Sequence, residues 1–205
     1  MSKEKTRIIT ISREFGSGGR TIGKMVAEQL GLKYYDKELV QAIAEESGFD
    51  ESYVEEAGEH APGRSWLAYA LGAQNSTSAG KGLSMNDFLW TIQYRVINEI
   101  AEKEPCVIVG RCADYILRER DDCFDVFIHA PLKDKAERIV RLYGESEDAP
   151  EKRLADKDKK RKVFYKHYTG REWGMSQNYH MSLDSGYLGI EECVRIIIEA
   201  SGMKK

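Results

Sequence analysis

Hydrophobic positions along the chain follow two alternating patterns. Five short apolar runs rich in β-branched and aromatic residues predict β-strands, at 8–11, 32–35, 106–109, 124–128 and 179–183. Apolar residues recur at helical spacing in 22–30, 132–143 and 190–198, and Gly31 follows the first of these segments as a helix cap. Strands that alternate with helices predict an α/β fold, with a mostly parallel sheet covered on both faces.

The long interval 37–104 lacks this alternation. It contains no convincing strand pattern, but helices are predicted at about 38–47 and 85–102. Ser84, with Asp87 three residues further on, is typical of the start of the second helix. The part from 58 to 82 is rich in Gly, Ser, Ala and Asn and is interpreted as a loop or a poorly determined segment. The interval as a whole therefore predicts a helical insertion.

Length and composition fit one domain of an ordinary soluble protein. The 205 residues are 41% hydrophobic and 32% charged, with a net charge of −3 that gives no overall attraction to nucleic acid or to an anionic membrane. No run approaches the roughly 18 apolar residues that span a bilayer, and the start leads into a strand rather than a signal-peptide core. The four cysteines form no C-x-x-C pair and the four histidines show no metal spacing. We expect a cytoplasmic protein with reduced, mostly buried thiols, and neither nucleic acid nor a membrane as its partner.

Charge is distributed unevenly between two segments. Residues 36–59 contain nine acids and one base, whereas residues 152–171 contain nine bases and two acids. A solvated helix face and a nucleic-acid patch are alternative interpretations of the basic segment. Its place after the fourth predicted strand favours a lid that closes over a polyanion.

A glycine-rich turn joins the first strand to the first helix. Glycines permit positive φ and close approach of backbone N–H groups to an anion, and the helix that begins near Arg20 adds its positive dipole end. This arrangement predicts a site for a nucleotide triphosphate. The expected ATP-binding residues are Gly16, Ser17, Gly18, Gly19, Arg20 and Thr21.

This turn departs from the usual phosphate-loop pattern, in which Gly-Lys precedes Ser or Thr. A literal match at 18–25 places Met25 where the magnesium-binding hydroxyl belongs, and we treat that match as a decoy. We expect Arg20 to replace the lysine and Thr21 to offer a hydroxyl to Mg²⁺, with a helix-surface arginine as the alternative for Arg20.

Other arginines are candidates for stabilising a transferring phosphoryl group, since a guanidinium pairs two phosphate oxygens and stays charged when dehydrated. Arg111 follows the third strand, at the sheet edge where open α/β folds bind ligands. Arg138 and Arg141 belong to the helix after the fourth strand, and Arg161 belongs to the basic segment. Each of these last three is alternatively a solvated side chain.

Acidic residues near these positions are candidates for binding a base, a sugar hydroxyl or hydrated magnesium. They are Asp36 at the end of the second strand, Asp114 just after Arg111, and Asp158 three residues before Arg161. The alternatives are a helix cap for Asp36 and an intrahelical ion pair of Asp158 with Arg161.

The chain resembles the cytidylate kinase-like family of phosphate-loop kinases over nearly its whole length. Apart from the loop variant at 16–21, the resemblance rests on segments 32–36, 107–114, 127–131 with Glu137 and Arg138, and 183–192. It implies a three-layer α/β/α sandwich with a five-stranded parallel sheet, in one domain spanning 1–205. The core would comprise 1–36, 105–150 and 172–205, with a monophosphate-binding insertion at 37–104 and a lid at about 151–171.

The resemblance also implies a reaction. It implies ATP with Mg²⁺ and γ-phosphoryl transfer to a CMP-like or dCMP-like acceptor, with Arg111 on the acceptor phosphate, Asp158 near its ribose and Arg161 near the transferring group. Cys112 stands where the family carries an acid that reads cytosine, and Asp114, Gln93 or Arg95 are candidates to supply that contact. The alternatives are a kinase for another small acceptor and a catalytically weak ATP-binding regulatory protein.

Overall fold

The computed structural model describes residues 6–57 and 84–204. The predicted loop at 58–82 lies outside the described residues. Five strands form one parallel sheet in the order β2-β3-β1-β4-β5. The strands are β1 (Ile8–Arg13), β2 (Lys33–Tyr35), β3 (Cys106–Val109), β4 (Cys123–His129) and β5 (Met181–Asp184).

The five predicted strands and their parallel arrangement are confirmed, and the two largest changes of boundary concern β1 and β5. β1 continues two residues further, to Arg13, because Ser12 and Arg13 still pair with β4. The last strand begins at Met181 and not at 179, because a short 3₁₀ turn precedes it and the Tyr179 N–H donates to the Ser176 carbonyl. Aromatic Tyr179 is buried, but it belongs to the turn.

Helices connect and cover the strands, and the predicted helices of the insertion are present. The helices are α1 (Gly19–Leu30), α2 (Lys37–Ser47), α3 (Glu51–Ala57), α4 (Met85–Lys103), α5 (Ala113–Ile116), α6 (Leu132–Tyr143), α7 (Pro150–Thr169), α8 (Ser185–Leu188) and α9 (Ile190–Ser201). The Ser84 hydroxyl accepts a hydrogen bond from the Asp87 N–H at 3.1 Å, as the sequence predicts for the start of α4.

Each face of the sheet packs against a different set of helices, because neighbouring residues of a strand point to opposite faces. Ile8 is fully buried among residues of α2, α3, α4 and α5, whereas Ile9 is fully buried among residues of α1 and α9. The four cysteines are buried, as the sequence predicts for most of them. The helices therefore enclose the sheet from both sides.

Parallel pairing brings the carboxyl ends of β1, β3 and β4 to the same edge. Ile11 lies opposite Val109, and Arg13 lies opposite Ile128, so the segments that follow these strands meet there. Gly16 in the segment after β1 has φ +79°, and a Cβ added to it would lie 2.9 Å from both Ile139 Cγ2 and the Lys135 carbonyl oxygen. The glycine-rich turn thus packs against α6 with no room for a side chain.

We predict that Gly16→Ala lowers the free energy of unfolding more than Gly48→Ala. Both residues have left-handed φ, which costs a non-glycine residue about 1–2 kcal/mol. Gly48 has no atom within 4 Å of an added Cβ, whereas overpacking at Gly16 adds roughly 1–3 kcal/mol. Urea denaturation of the two variants measures the difference, and equal losses would contradict tight packing of the turn on α6.

Candidate active site

The phosphate loop, residues 14–18, is held in place by hydrogen bonds to its own carbonyl groups. Arg138 Nη1 donates to the Gly16 carbonyl at 2.7 Å, and the Ser185 hydroxyl donates to the Ser17 carbonyl. The Ser17 side chain is fully buried and donates to the Glu14 carbonyl at 2.9 Å. Two elements outside the loop, α6 and α8, therefore fix its backbone.

A pocket over the loop brings together most of the predicted ATP-binding residues. Its lining includes Gly16, Gly18, Gly19, Arg20, Thr21, Arg138 and Arg161. Gly18 adopts the left-handed conformation and α1 begins at Gly19, so the positive end of the helix dipole faces the pocket. Ser17 is fully buried and does not line this pocket. The arrangement suits an anion with several negative oxygens.

Arg20, the residue expected to replace the lysine, lies at the outer rim of this pocket. Its Nε lies 2.9 Å from Asp36 Oδ2, and its side chain is 43% exposed. Asp36 precedes α2, but its side chain makes no capping hydrogen bond to that helix. The structure thus joins two predicted site residues to each other, one from α1 and one from the end of β2.

Thr21 is the described residue whose position best suits a magnesium ligand. It is exposed on the first turn of α1 and borders the pocket over the loop. Across residues 6–57 and 84–204, no three His, Cys, Asp or Glu side chains are grouped as a metal site. Mg²⁺ commonly keeps several water ligands and binds substrate phosphates, so the Thr21 hydroxyl would suffice as the protein ligand of an ion that enters with ATP. When bound, such an ion neutralises phosphate charge.

A second pocket adjoins the first at the end of β3, and Arg111 borders it. Arg13 and Arg161 line both pockets. Arg111 has φ +56°, a strained conformation for a residue with a side chain, and such strain clusters at functional sites. Buried Gln93 donates from Nε2 to the Arg111 carbonyl at 2.9 Å, and Arg111 Nη1 donates to the Val54 carbonyl at 2.9 Å. Gln93 therefore positions Arg111.

The insertion adds an apolar extension beside Arg111. Its lining comes from α2, α3, α4 and α7 and includes Ile43, Val54, Leu89, Trp90, Gln93 and Phe164. Trp90 stacks on Tyr168, with ring centroids 4.6 Å apart. The extension therefore places apolar and aromatic side chains next to Arg111.

Asp114 lies under the second pocket and is engaged by protein groups. It accepts hydrogen bonds from the Tyr165 hydroxyl at 2.6 Å and the Ser12 hydroxyl at 3.1 Å. Burial raises the pKa of Asp114 to about 6, and the hydrogen bonds from Tyr165 and Ser12 oppose part of that rise. The carboxyl group therefore joins β1 to α7.

The predicted lid is helix α7, and it is docked on the phosphate loop. Asp158 Oδ1 accepts a hydrogen bond from the Phe15 N–H at 2.7 Å and lies 3.4 Å from Arg161 Nη1, which is the alternative ion pair considered from the sequence. Lys135 Nζ lies 2.8 Å from Glu14 Oε2 and 3.8 Å from Asp158 Oδ2. The side chains of Lys135, Asp158 and Arg161 are about nine-tenths buried. Asp158 thus contacts the phosphate loop, whereas the resemblance places it near a ribose.

Sequence reasoning missed Arg13, Glu14 and Lys135, and the short helix α3. Lys135 adjoins Ala136 and precedes Ile139 by one helical turn, a weak signal that it lies on the buried face of α6. The charge of Lys135 by itself would favour a solvated side chain. The contacts of Arg13 and Glu14 depend on elements distant in sequence and give no local signal.

We predict that Lys135→Met destabilises the fold far more than Lys133→Met. Removing the ammonium leaves two carboxylates poorly compensated in a buried site, which costs roughly 3–5 kcal/mol. Lys133 is 84% exposed and 3.9 Å from Glu137, so its loss costs less than about 1 kcal/mol. Urea denaturation at neutral pH gives both values. A similar small loss in each variant would show that the buried cluster does not hold the lid to the loop.

The sheet order, the phosphate loop and the basic helix define the fold of the phosphate-loop kinases, and solved structures support this. A protein from Eubacterium ventriosum, described as uncharacterized, shares 26% identity at a TM-score of 0.72 and covers 97% of this chain and 100% of its own. A gluconokinase from Sinorhizobium meliloti shares 16% identity at a TM-score of 0.56, with 97% of this chain and 93% of the gluconokinase covered.

Within that class, the chain belongs to the cytidylate kinase-like family, whose model matches residues 8–187. A cytidylate kinase from Archaeoglobus fulgidus is 28% identical and covers 96% of both chains. One from Aeropyrum pernix is 23% identical and covers 93% of this chain and 96% of the relative. The resemblance seen in the sequence is thus confirmed, and the chain is a kinase that transfers a phosphoryl group to a nucleotide or another small molecule. In the described residues no helix is long and apolar enough to cross a membrane.

Proposed function

We propose that this protein is an ATP-dependent nucleoside monophosphate kinase that phosphorylates CMP or dCMP. The observation that carries the proposal is the pair of adjoining pockets at one sheet edge, which share the guanidinium-bearing residues Arg13 and Arg161. Two bound phosphates placed there would lie next to each other. That is the geometry that transfer between two anionic substrates requires.

The donor and the acceptor occupy different pockets in this proposal. The ATP phosphates bind over residues 16–21, with Arg138 beside them, Thr21 as a ligand of the incoming Mg²⁺ and Arg20 at the rim with Asp36. The acceptor phosphate binds at Arg111, and its base enters the apolar extension formed by insertion 37–104. The names of the two archaeal relatives support CMP as the acceptor.

Positioning and charge do most of the catalytic work in such a reaction. The bond between the γ-phosphorus of ATP and its bridging oxygen breaks, and a bond forms from that phosphorus to an acceptor phosphate oxygen. Arg138 and Arg161 stabilise the negative charge on the transferring oxygens. The lid at 151–171 covers the site and excludes water, and Asp158 anchors it through the Phe15 N–H.

One observation favours a second candidate, a kinase with another small phosphorylated or hydroxylated acceptor. Cys112 occupies the place of the base-reading acid, and burial raises its pKa well above the usual thiol range, so this side chain carries no negative charge at neutral pH. Asp114 is already engaged by Ser12 and Tyr165. For a CMP or dCMP acceptor, by contrast, we propose that Gln93, which lines the apolar extension, contacts the base through its Oε1, because its Nε2 donates to the Arg111 carbonyl.

A coupled assay with Mg-ATP and a panel of monophosphates tests the proposal. ADP release that depends on CMP or dCMP is expected, with UMP, GMP and AMP much less effective. Release only with a different small molecule would favour the second candidate. Thermal stabilisation by ATP without turnover of any acceptor would refute both and indicate a regulatory ATP-binding protein.

We predict that Arg111→Ala raises the KM for the acceptor by roughly 10- to 100-fold, because a hydrogen bond to a charged group contributes about 1.5–3 kcal/mol. The KM for ATP should change little. Arg195→Ala is the matched control, since Arg195 is an exposed arginine of α9 that pairs with Glu192 and Glu199. Steady-state kinetics with either substrate varied measure both constants, and an unchanged acceptor KM in Arg111→Ala would remove Arg111 from the acceptor site.

A further inference from the structure

We propose that Arg13, and not Arg20, supplies the positive charge that a lysine supplies in the usual phosphate loop. This inference rests on the proposed function and deepens it, because it names a catalytic residue for phosphoryl transfer. It assigns the cation to the end of β1 rather than to the start of α1. Three features of the described residues support it.

The first feature is the space beside Gly19. When the loop is aligned with the usual phosphate-loop pattern without a gap, Gly19 falls at the lysine, and a shift of one residue puts Arg20 there. A Cβ added to Gly19 would lie 2.5 Å from Arg13 Cβ and 2.9 Å from Arg13 Cγ. Gly19 does not have a positive φ, so its backbone would accept a side chain. No side chain fits at position 19, because the aliphatic part of the Arg13 side chain occupies the space that a lysine side chain would need.

The second feature is the position of the Arg13 guanidinium, which lies over Gly110. A Cβ added there would collide with Arg13 Nη1 and would lie 2.9 Å from Cζ. Gly110 directly follows β3 and precedes Arg111. The Arg13 side chain thus runs from the start of α1 across to the acceptor pocket, where its guanidinium lies beside the backbone that carries Arg111.

The third feature is that Arg13 lines both pockets, whereas Arg20 lines only the one over the loop. Arg20 is turned toward Asp36 at the rim. A planar guanidinium between two phosphates can donate to oxygens of both, which a single ammonium does less well. Arg13 would therefore offset repulsion between the substrates and stabilise the transferring group, without itself gaining or losing a proton.

Substitutions that remove the charge and then restore it from Gly19 test this assignment. Arg13→Ala should lower kcat by roughly 100- to 1,000-fold, the usual loss for one preorganised donor at a transition state. Arg13→Met keeps most of the apolar stem without the charge and should show the same loss, which guards against poor folding of Arg13→Ala. Only glycine at position 13 also removes the Cβ that lies 2.5 Å from a Cβ at position 19. In Arg13→Gly with Gly19→Lys the vacated space therefore admits a lysine, and kcat should recover by about tenfold or more over Arg13→Gly alone.

Gly19→Lys in the presence of Arg13 is the matched steric control. It should lower the melting temperature, because both stems need the same space, whereas the double variant should melt near the temperature of Arg13→Gly. Two results would overturn the assignment. One is a kcat of Arg13→Met within about threefold of the wild type, too small a change for a lost transition-state contact. The other is a double variant that folds and binds ATP but is no more active than Arg13→Gly.

Calorimetric binding of Mg-ATP to the same variants separates this inference from the proposed function. If the wild type phosphorylates no monophosphate, the proposed function fails, but Arg13→Met should still bind Mg-ATP more weakly than the wild type, and the double variant should bind it more tightly than Arg13→Gly. Equal ATP affinities in all these variants would remove Arg13 from the donor site, whatever the acceptor is.

Discussion

The buried ammonium group of Lys135 joins the three parts of the molecule on which the candidate site depends. It comes from α6, pairs with Glu14 of the phosphate loop and lies near Asp158 of the lid helix. Asp158 in turn accepts a hydrogen bond from the Phe15 N–H. Lys135 and Asp158 are about nine-tenths buried and Glu14 is partly buried, so each charge is stabilised by the opposite charges beside it. The loop, α6 and α7 therefore adopt their positions together. The phosphate loop is thus shaped from outside its own sequence.

This dependence explains how a loop without the usual lysine can still form an anion site. Backbone N–H groups and the α1 dipole face the pocket, while guanidinium groups reach it from β1, α6 and α7. Gly19 and Gly110 leave room for the Arg13 side chain between the two pockets. Positive charge thus lies on the elements around the loop, and Arg13 and Arg161 bring it to the second pocket as well.

Local patterns in the sequence predict most of the secondary structure and the position of the phosphate loop. Short apolar runs predict the strands, helical spacing of apolar residues predicts most of the helices, and glycine spacing predicts the phosphate loop. Arg111 could be placed at the sheet edge because it directly follows a strand. The paths of long side chains could not be predicted, since Lys135 bends into a buried cluster and Asp158 meets the loop across 143 residues of chain. Arg20 directly precedes Thr21, as the missing lysine would precede a Ser or Thr, but this spacing gives no information about the pairing of Arg20 with Asp36.

We propose that the two adjoining pockets, which share Arg13 and Arg161, bind the phosphates of the two substrates side by side. Calorimetric titration with a compound in which adenosine and cytidine are joined by a chain of phosphates tests it most directly. A ligand that fills both pockets binds its second half at high effective concentration, so its Kd should be at least about 100-fold below that of ATP. A Kd no lower than that of ATP alone would contradict the account.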